Sequence, residues 1–200
     1  MNKVKSAAMA VLALSLVNMK MTQAQEKPVQ FGIKAGANLS ALSGDVKGMK
    51  TAIRYQFGVT ADIALSTNMY LLTSINLQQK VLKKDISKES KLNMTLTYVQ
   101  MPFHLTYKLP LTEDINLLMG AGPYIAYGIG GKTKDYNLNE KTFKSTGLKK
   151  LDYGAGATAV LALGKLGIGA GYDIGIHNIS APEGTKLKNR TAYITVGYKF

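Results

Sequence analysis

Residues 31–39 place Phe31, Ile33, Ala35, Ala37 and Leu39 at alternate positions, with Gly32, Lys34, Gly36 and Asn38 between them. A period of two is the mark of a β-strand whose faces meet different surroundings. It returns at 55–63, where Tyr55, Phe57, Val59, Ala61 and Ile63 oppose Gln56, Gly58, Thr60 and Asp62. A third segment, about 69–81, sets Met69, Leu71, Ile75, Leu77 and Val81 against Ser74, Asn76, Gln78 and Lys80. A fourth ends on Val99, Met101, Phe103, Leu105 and Tyr107, opposed by Gln100, Pro102, His104, Thr106 and Lys108. The fifth, 115–129, alternates Leu117, Met119, Ala121, Ile125 and Tyr127 with Gly120, Gly122, Tyr124 and Gly128. Segments 153–161, 166–176 and 192–200 complete a set of eight predicted strands.

The connections alternate in length. Ala64–Asn68, Pro110–Asp114 and Gly164–Lys165 are short, whereas Ser40–Arg54, Lys83–Lys91, Gly131–Lys150 and Asn178–Asn189 are longer and polar. Short turns at one end and long loops at the other are the plan of an outer-membrane barrel with both termini on the periplasmic side. A soluble barrel also alternates, but it shows water a face of Lys, Glu, Thr and Ser. Here the less apolar face is dominated by glycine, as in Gly167, Gly169, Gly171 and Gly175, which suits a narrow interior and makes a poor solvent face. The expected fold is all-β: a monomeric, eight-stranded, antiparallel up-and-down transmembrane β-barrel.

Length and composition narrow this further. A chain of 200 residues is the size of one domain, and the absence of cysteine excludes disulfides and thiolate metal sites. The start is basic through Lys3 and Lys5, apolar from Ala7 to Val17, and closes on Thr22-Gln23-Ala24, the layout of a secretory signal peptide. Its apolar run is shorter than the roughly 20 residues of a spanning helix. Residues 1–24 are therefore expected to be removed, leaving residues 25–200 as the barrel domain. Their removal takes three lysines and no acid from a net charge of +13, so the mature chain stays basic.

Aromatic residues on the apolar face collect at strand ends. Tyr55, Phe57, Tyr127 and Tyr153 fall at the loop ends, and Phe31, Tyr107, Tyr198 and Phe200 at the turn ends, as two interfacial girdles would require. Tyr198 and Phe200 in the closing strand are the expected recognition end for the barrel-assembly machinery. Several phrases then resemble the PorT-like family of small outer-membrane barrels of Gram-negative bacteria. They are Gly32-Ile-Lys-Ala-Gly-Ala-Asn-Leu-Ser40, Tyr98-Val-Gln-Met-Pro102, Gly120-Ala-Gly-Pro-Tyr124 with Gly130-Gly-Lys132, His177-Asn-Ile-Ser180 and Gly197-Tyr-Lys-Phe200. The resemblance spans nearly the whole mature chain and implies the barrel and its outer-membrane location. One member type belongs to a protein secretion system, which the resemblance brings in as an alternative role. Gln100 stands where relatives often carry a glutamate.

Candidate chemistry is sparse. The inward face carries Lys34, Asp62, Lys80, His104, Lys108, Asp152, Asp173 and Lys199. Buried charges must be paired, so a lumen cluster of Lys34, Asp62 and Lys199 is expected near the turn end, filling the barrel rather than opening a pore. Pro102 and Pro123 cannot donate to a ladder and are expected to mark bulges or bends. A lipid A-modifying enzyme would need a nucleophile and base near the rim; His177, Ser180 and Asp173 are the candidates, and spacing is their only support. Two histidines without cysteine do not suggest a transition-metal site, and no cofactor is expected.

The long connections are lysine-rich, with Lys83 and Lys84, Lys132 and Lys134, and Lys149 and Lys150 among them. Such groups beside a phosphate-bearing lipid surface are drawn to it. Contact with lipopolysaccharide phosphates is thus one reading of these lysines and a merely solvated set of loops is the other, alongside the expected contact with outer-membrane lipid. Nucleic acid is not expected, since these lysines would face away from the cell. The working function is a non-enzymatic envelope protein whose loops meet lipid headgroups or a partner.

Overall fold

Each predicted alternation becomes a strand, and most run further than the alternation does. The strands are β1 (Val29–Gly44), β2 (Met49–Ala64), β3 (Met69–Asp85), β4 (Lys91–Pro110), β5 (Ile115–Asp135), β6 (Leu138–Glu140), β7 (Leu151–Leu163), β8 (Leu166–Gly175) and β9 (Leu187–Lys199). The structure, a computed structural model, describes residues 28–44, 49–85, 91–135, 138–140, 143, 148–180 and 186–200. The expected leader, residues 1–24, lies outside the described residues.

Neighbours in the chain pair antiparallel, and the sheet closes through the β1–β9 seam. The eight long strands form the wall, while β6 pairs only with the tip of β5, from Thr133↔Glu140 to Asp135↔Leu138. The seam runs in one register from Gly32↔Lys199 to Gly44↔Leu187, and the Phe200 amide donates to the Phe31 carbonyl at 3.0 Å. Closure leaves no long edge, so the wall's ladder groups find partners inside the sheet.

Side-chain direction follows the alternation. Val59, Ile168 and Val196 are 56%, 53% and 59% exposed on the outer face, while Gly167 and Gly169 lie buried on the inner one. The packed interior is therefore the lumen. It is layered: Tyr70, Leu118 and Ala162 cluster at the turn end, polar groups fill the middle, and a second apolar cluster closes the loop end.

Two of the turns are built alike. The amides of Leu65 and Ser66 both donate to the Met69 carbonyl (2.8 and 3.1 Å), and those of Leu111 and Thr112 both donate to Ile115 (2.8 and 3.1 Å). The two-residue β7–β8 turn uses Gly164 at φ 57°, where a residue with a Cβ would be strained.

Two expectations need correction. The stretches read as long polar loops are partly strand, Ser40–Arg54 most of all, and β4 and β5 run 20 and 21 residues, about twice what the bilayer requires. Above the apolar band the outward-facing hydrophobic alternation gives way, in β4 to an inverted one with Leu96 and Tyr98 buried inside, while the hydrogen-bond ladder continues. The prolines mark no bulge, although the ladders on both sides of β4 are interrupted beside Pro102, where a bend is the other expectation. Pairing is interrupted between Pro102↔Tyr124 and Leu105↔Ala121, yet the register is the same on both sides. The shifts lie elsewhere, at Thr97/Tyr98 in β4–β5 and between Thr51 and Gln56 in β2–β3.

The seam also limits what its inner face tolerates. A Cβ on Gly36 would overlap the Ile194 carbonyl oxygen and come within 2.8 Å of the Thr195 Cα, backbone atoms that cannot swing away. A Cβ on Gly167 meets only Val160 Cγ1, at 3.4 Å. Gly36→Val is expected to destabilise the barrel by about 2 kcal/mol or more, whereas Gly167→Ala should leave it within about 0.5 kcal/mol of the parent. Urea titration of the heat-modifiable folded band on gels measures both.

Candidate functional site

The charges expected on the inner face are there, and their partners come from the strand registers. At the turn end Lys199 of β9 and Asp62 of β2 reach past β1 to form an ion pair, Nζ to Oδ2 2.5 Å. Lys34 does not join them by a direct bond. It is flanked across the ladders by Gly58 and Gly197, neither of which offers a side chain, and its ammonium passes over β2 to donate to Ser74 Oγ on β3 at 3.0 Å. The three residues expected to cluster are thus one ion pair and one separate ammonium–hydroxyl contact. Nearby, Lys108 donates to the Tyr70 hydroxyl at 3.4 Å, and its ammonium stands 5.5 Å from that ring's centroid.

In the middle of the lumen two buried carboxylates organise the polar groups. Asp173 accepts from Gln100 Nε2 at 2.7 Å, and Gln100 Oε1 in turn accepts from Gln78 Nε2, a chain that crosses from β8 to β4 and β3. A glutamine suits this place because its amide donates to one neighbour and accepts from the other; a glutamate would set a second carboxylate against Asp173. Asp152 accepts from Asn189 Nδ2 at 2.7 Å and from the Tyr124 hydroxyl at 3.5 Å, and Lys80 lies 3.8 Å from the same Oδ2. The Lys80 ammonium also sits 4.9 Å from the Tyr98 ring centroid.

A feature absent from the sequence reading closes the loop end. Leu148, Ile179 and Leu187 fold over Leu96, Tyr98, Tyr124 and Ala126, with Phe143 edge-on to Tyr98 at 5.7 Å between ring centroids. The cap is tied down by backbone. Leu148 bridges Ser180, the Lys149 amide donates to the Ile179 carbonyl at 2.8 Å, and the Ile179 amide donates to Leu187 at 2.9 Å. Asn178 Oδ1 accepts from the amides of both Ser180 and Leu187 (3.1 and 2.8 Å). Gly128 leaves the room that the Phe143 ring occupies. The clue in the sequence is three apolar residues isolated within polar connections.

The six lysines singled out in the connections divide. Lys83 and Lys84 belong to β3, and Lys132 and Lys134 to β5, so they stand on strand extensions and not in loops. Lys149 and Lys150 lie exposed just before β7. The candidate catalytic set is not assembled. The His177 ring stacks on outward-facing Tyr153, 4.8 Å between centroids, while Asp173 is buried in the lumen on Gln100 and Ser180 is buried in the cap. No group of three or more metal-ligating side chains occurs among the described residues.

The model of the outer membrane protein beta-barrel domain matches residues 23–181. The chain belongs to that family. Among solved structures it is similar to Ail, the attachment invasion locus protein of Yersinia pestis, at 13% identity with a TM-score of 0.50, covering 87% of this chain and 100% of that one. It is also similar to Neisserial surface protein A, at 11% identity with a TM-score of 0.50, again over 87% of this chain and 100% of that one. At these identities the likeness is one of fold. No curated protein matches the chain.

Membership places the barrel in the outer membrane, with its apolar outer face against lipid. The mid-lumen network then sits at bilayer depth, remote from bulk water at the capped end. Lys80 and Asp152 are 2% and 0% exposed, so removing one partner strands the other. Asp152→Ala is expected to cost about 3–5 kcal/mol, and the double variant Lys80→Met/Asp152→Leu much less. Equilibrium unfolding in detergent or lipid, followed by tyrosine fluorescence and gel mobility, distinguishes the two.

Proposed function

We propose that the protein is a non-enzymatic, monomeric outer-membrane barrel whose basic loop-end rim binds the phosphates of lipopolysaccharide. In this reading the loop end faces outward and both mature termini lie in the periplasm. Residues 1–24 are the cleaved leader, and the closing strand through Tyr198 and Phe200 is read by the barrel-assembly machinery. The lumen is closed to passage at its loop end, with the polar network and the Asp62–Lys199 pair as filling and not as a conduit.

The observation that carries the reading is the register at the rim. Lys50 of β2 lies directly opposite Lys83 of β3, with Lys84 next along the strand and Lys91 paired to Asp85 across β3–β4. Like charges directly opposite on paired strands repel. A bound phosphate would offset that penalty, and in this reading the rim stands at the level of the lipid A phosphates of the outer leaflet. Lys132 and Lys134 extend the row onto β5, opposite Thr95 and Asn93 of β4.

A PorT-like secretion role is the second reading, supported by the phrases Gly32–Ser40 and Tyr98–Pro102 and by a mouth at the turn end that is wide open, about 450 Å³. It predicts cargo stranded in the periplasm when the gene is deleted, and a partner that copurifies through the turn end.

Binding of the purified barrel to vesicles containing phosphorylated or dephosphorylated lipid A tests the first reading. A preference for the phosphorylated form is expected that weakens with salt and falls several-fold in Lys50→Ser/Lys83→Ser/Lys84→Ser. Equal binding to both lipids at low salt overturns it. His177→Ala is expected to leave the lipid A mass profile of cells unchanged; an altered profile at constant barrel level would restore the enzyme.

A further inference from the structure

The lumen is asymmetric. Its loop end is capped by the Leu148–Ile179 cluster, while its turn end opens through the 450 Å³ mouth lined by Tyr70, Lys108, Asn116, Lys165 and Lys199. Deeper in lies a chamber of about 90 Å³, which shares Asp62, Leu118 and Lys199 with the mouth. The Asp62–Lys199 pair stands at the boundary between them. By the volume a buried water needs, the chamber has room for roughly six, or for an organic molecule of about that many heavy atoms.

The chamber's walls are of two kinds. Leu72, Leu118 and Val160 form an apolar side, and Lys34, Ser74 and His104 supply polar groups. His104 is only 4% exposed, and its Nε2 has no hydrogen-bond partner from the protein. It pairs across the ladder with Leu72, one inward position from Ser74, so the imidazole and the Lys34 ammonium on Ser74 stand at neighbouring levels of the lumen. The ammonium has three protons and Ser74 takes one of them. Of the two carboxylates nearest it, Asp62 is engaged by Lys199, and Asp173 accepts from Gln100 through Oδ2 while its Oδ1 has no partner in the protein. Lysines at 34, 108, 165 and 199 outnumber the acidic groups lining the path inward, so an anion is favoured.

We infer that the turn-end half of the lumen is a blind binding pocket for a small carboxylate with a short apolar tail. Its carboxylate is held by Lys34 and His104 and its tail lies against Leu72, Leu118 and Val160. A part-buried ammonium with one neutral hydrogen-bond partner is poorly compensated, and a ligand carboxylate supplies the charge it lacks. The apolar cap prevents passage through the barrel, so the pocket binds without conducting, and the loop-end lysines take no part.

The test uses the full-length mature barrel in vesicles free of lipopolysaccharide, with butyrate as the probe followed by calorimetry and by ligand-observed NMR. Saturable butyrate binding is expected, at least tenfold tighter than butanol or inorganic phosphate and at least tenfold weaker in Lys34→Met. Gly167→Leu keeps both polar groups and fills the chamber from a position where a Cβ is tolerated; it should abolish binding while the folded band persists. Absence of saturable binding, equal binding of butanol, binding of phosphate as tight as butyrate, or unchanged affinity in folded Gly167→Leu would each overturn the pocket. None of these results bears on the phosphate-binding rim, which the vesicles lack the lipid to engage.

Discussion

In hydrocarbon a backbone amide or carbonyl has no water to turn to, and this constraint governs the rest of the structure. A sheet satisfies it only by closing on itself. The β1–β9 seam, in register from Gly32 to Gly44, is therefore the element on which the fold depends. Closure has a second consequence. With lipid outside, the wall's apolar side chains turn outward, and whatever polarity the strands carry is confined to a narrow interior.

Eight strands leave little room there. Glycine and small residues on the inner face of β5, β7 and β8 make space, and the opposing strands fill it with longer polar groups. Asp152 and Asp173 survive at that depth because each is met by donors from other strands: Asn189, Tyr124 and Lys80 for the first, Gln100 for the second. The apolar cap over the loop end keeps bulk water from that network. The glycines flanking Lys34 explain why it reaches over Gly58 to Ser74.

What the sequence made legible follows from what imposes a pattern on it. Two contrasting surroundings impose a period of two, so the strands within the bilayer, their faces and the inward charges could be read directly. Beyond the bilayer that contrast ends or, as at Leu96 and Tyr98 of β4, inverts, while β1 to β5 continue as strands. Partners within the lumen were less legible than faces. Asp62 and Lys199 follow from closing strand one on strand eight, but the destination of Lys34 depends on which neighbours are glycines in the final register. The cap was missed because Phe143 and Leu148 in one connection and Ile179 in another are isolated apolar residues, and their convergence is tertiary.

Inverted polarity, oily outside and polar within, can be measured residue by residue because the chain has no cysteine to interfere. Single cysteines at positions 194 to 198 of β9, each carrying a fluorophore in bilayers of brominated lipid, report which side chains touch acyl chains. Strong quenching at 194, 196 and 198 with little at 195 and 197 is the predicted result. Uniform quenching, or quenching confined to 195 and 197, would contradict it.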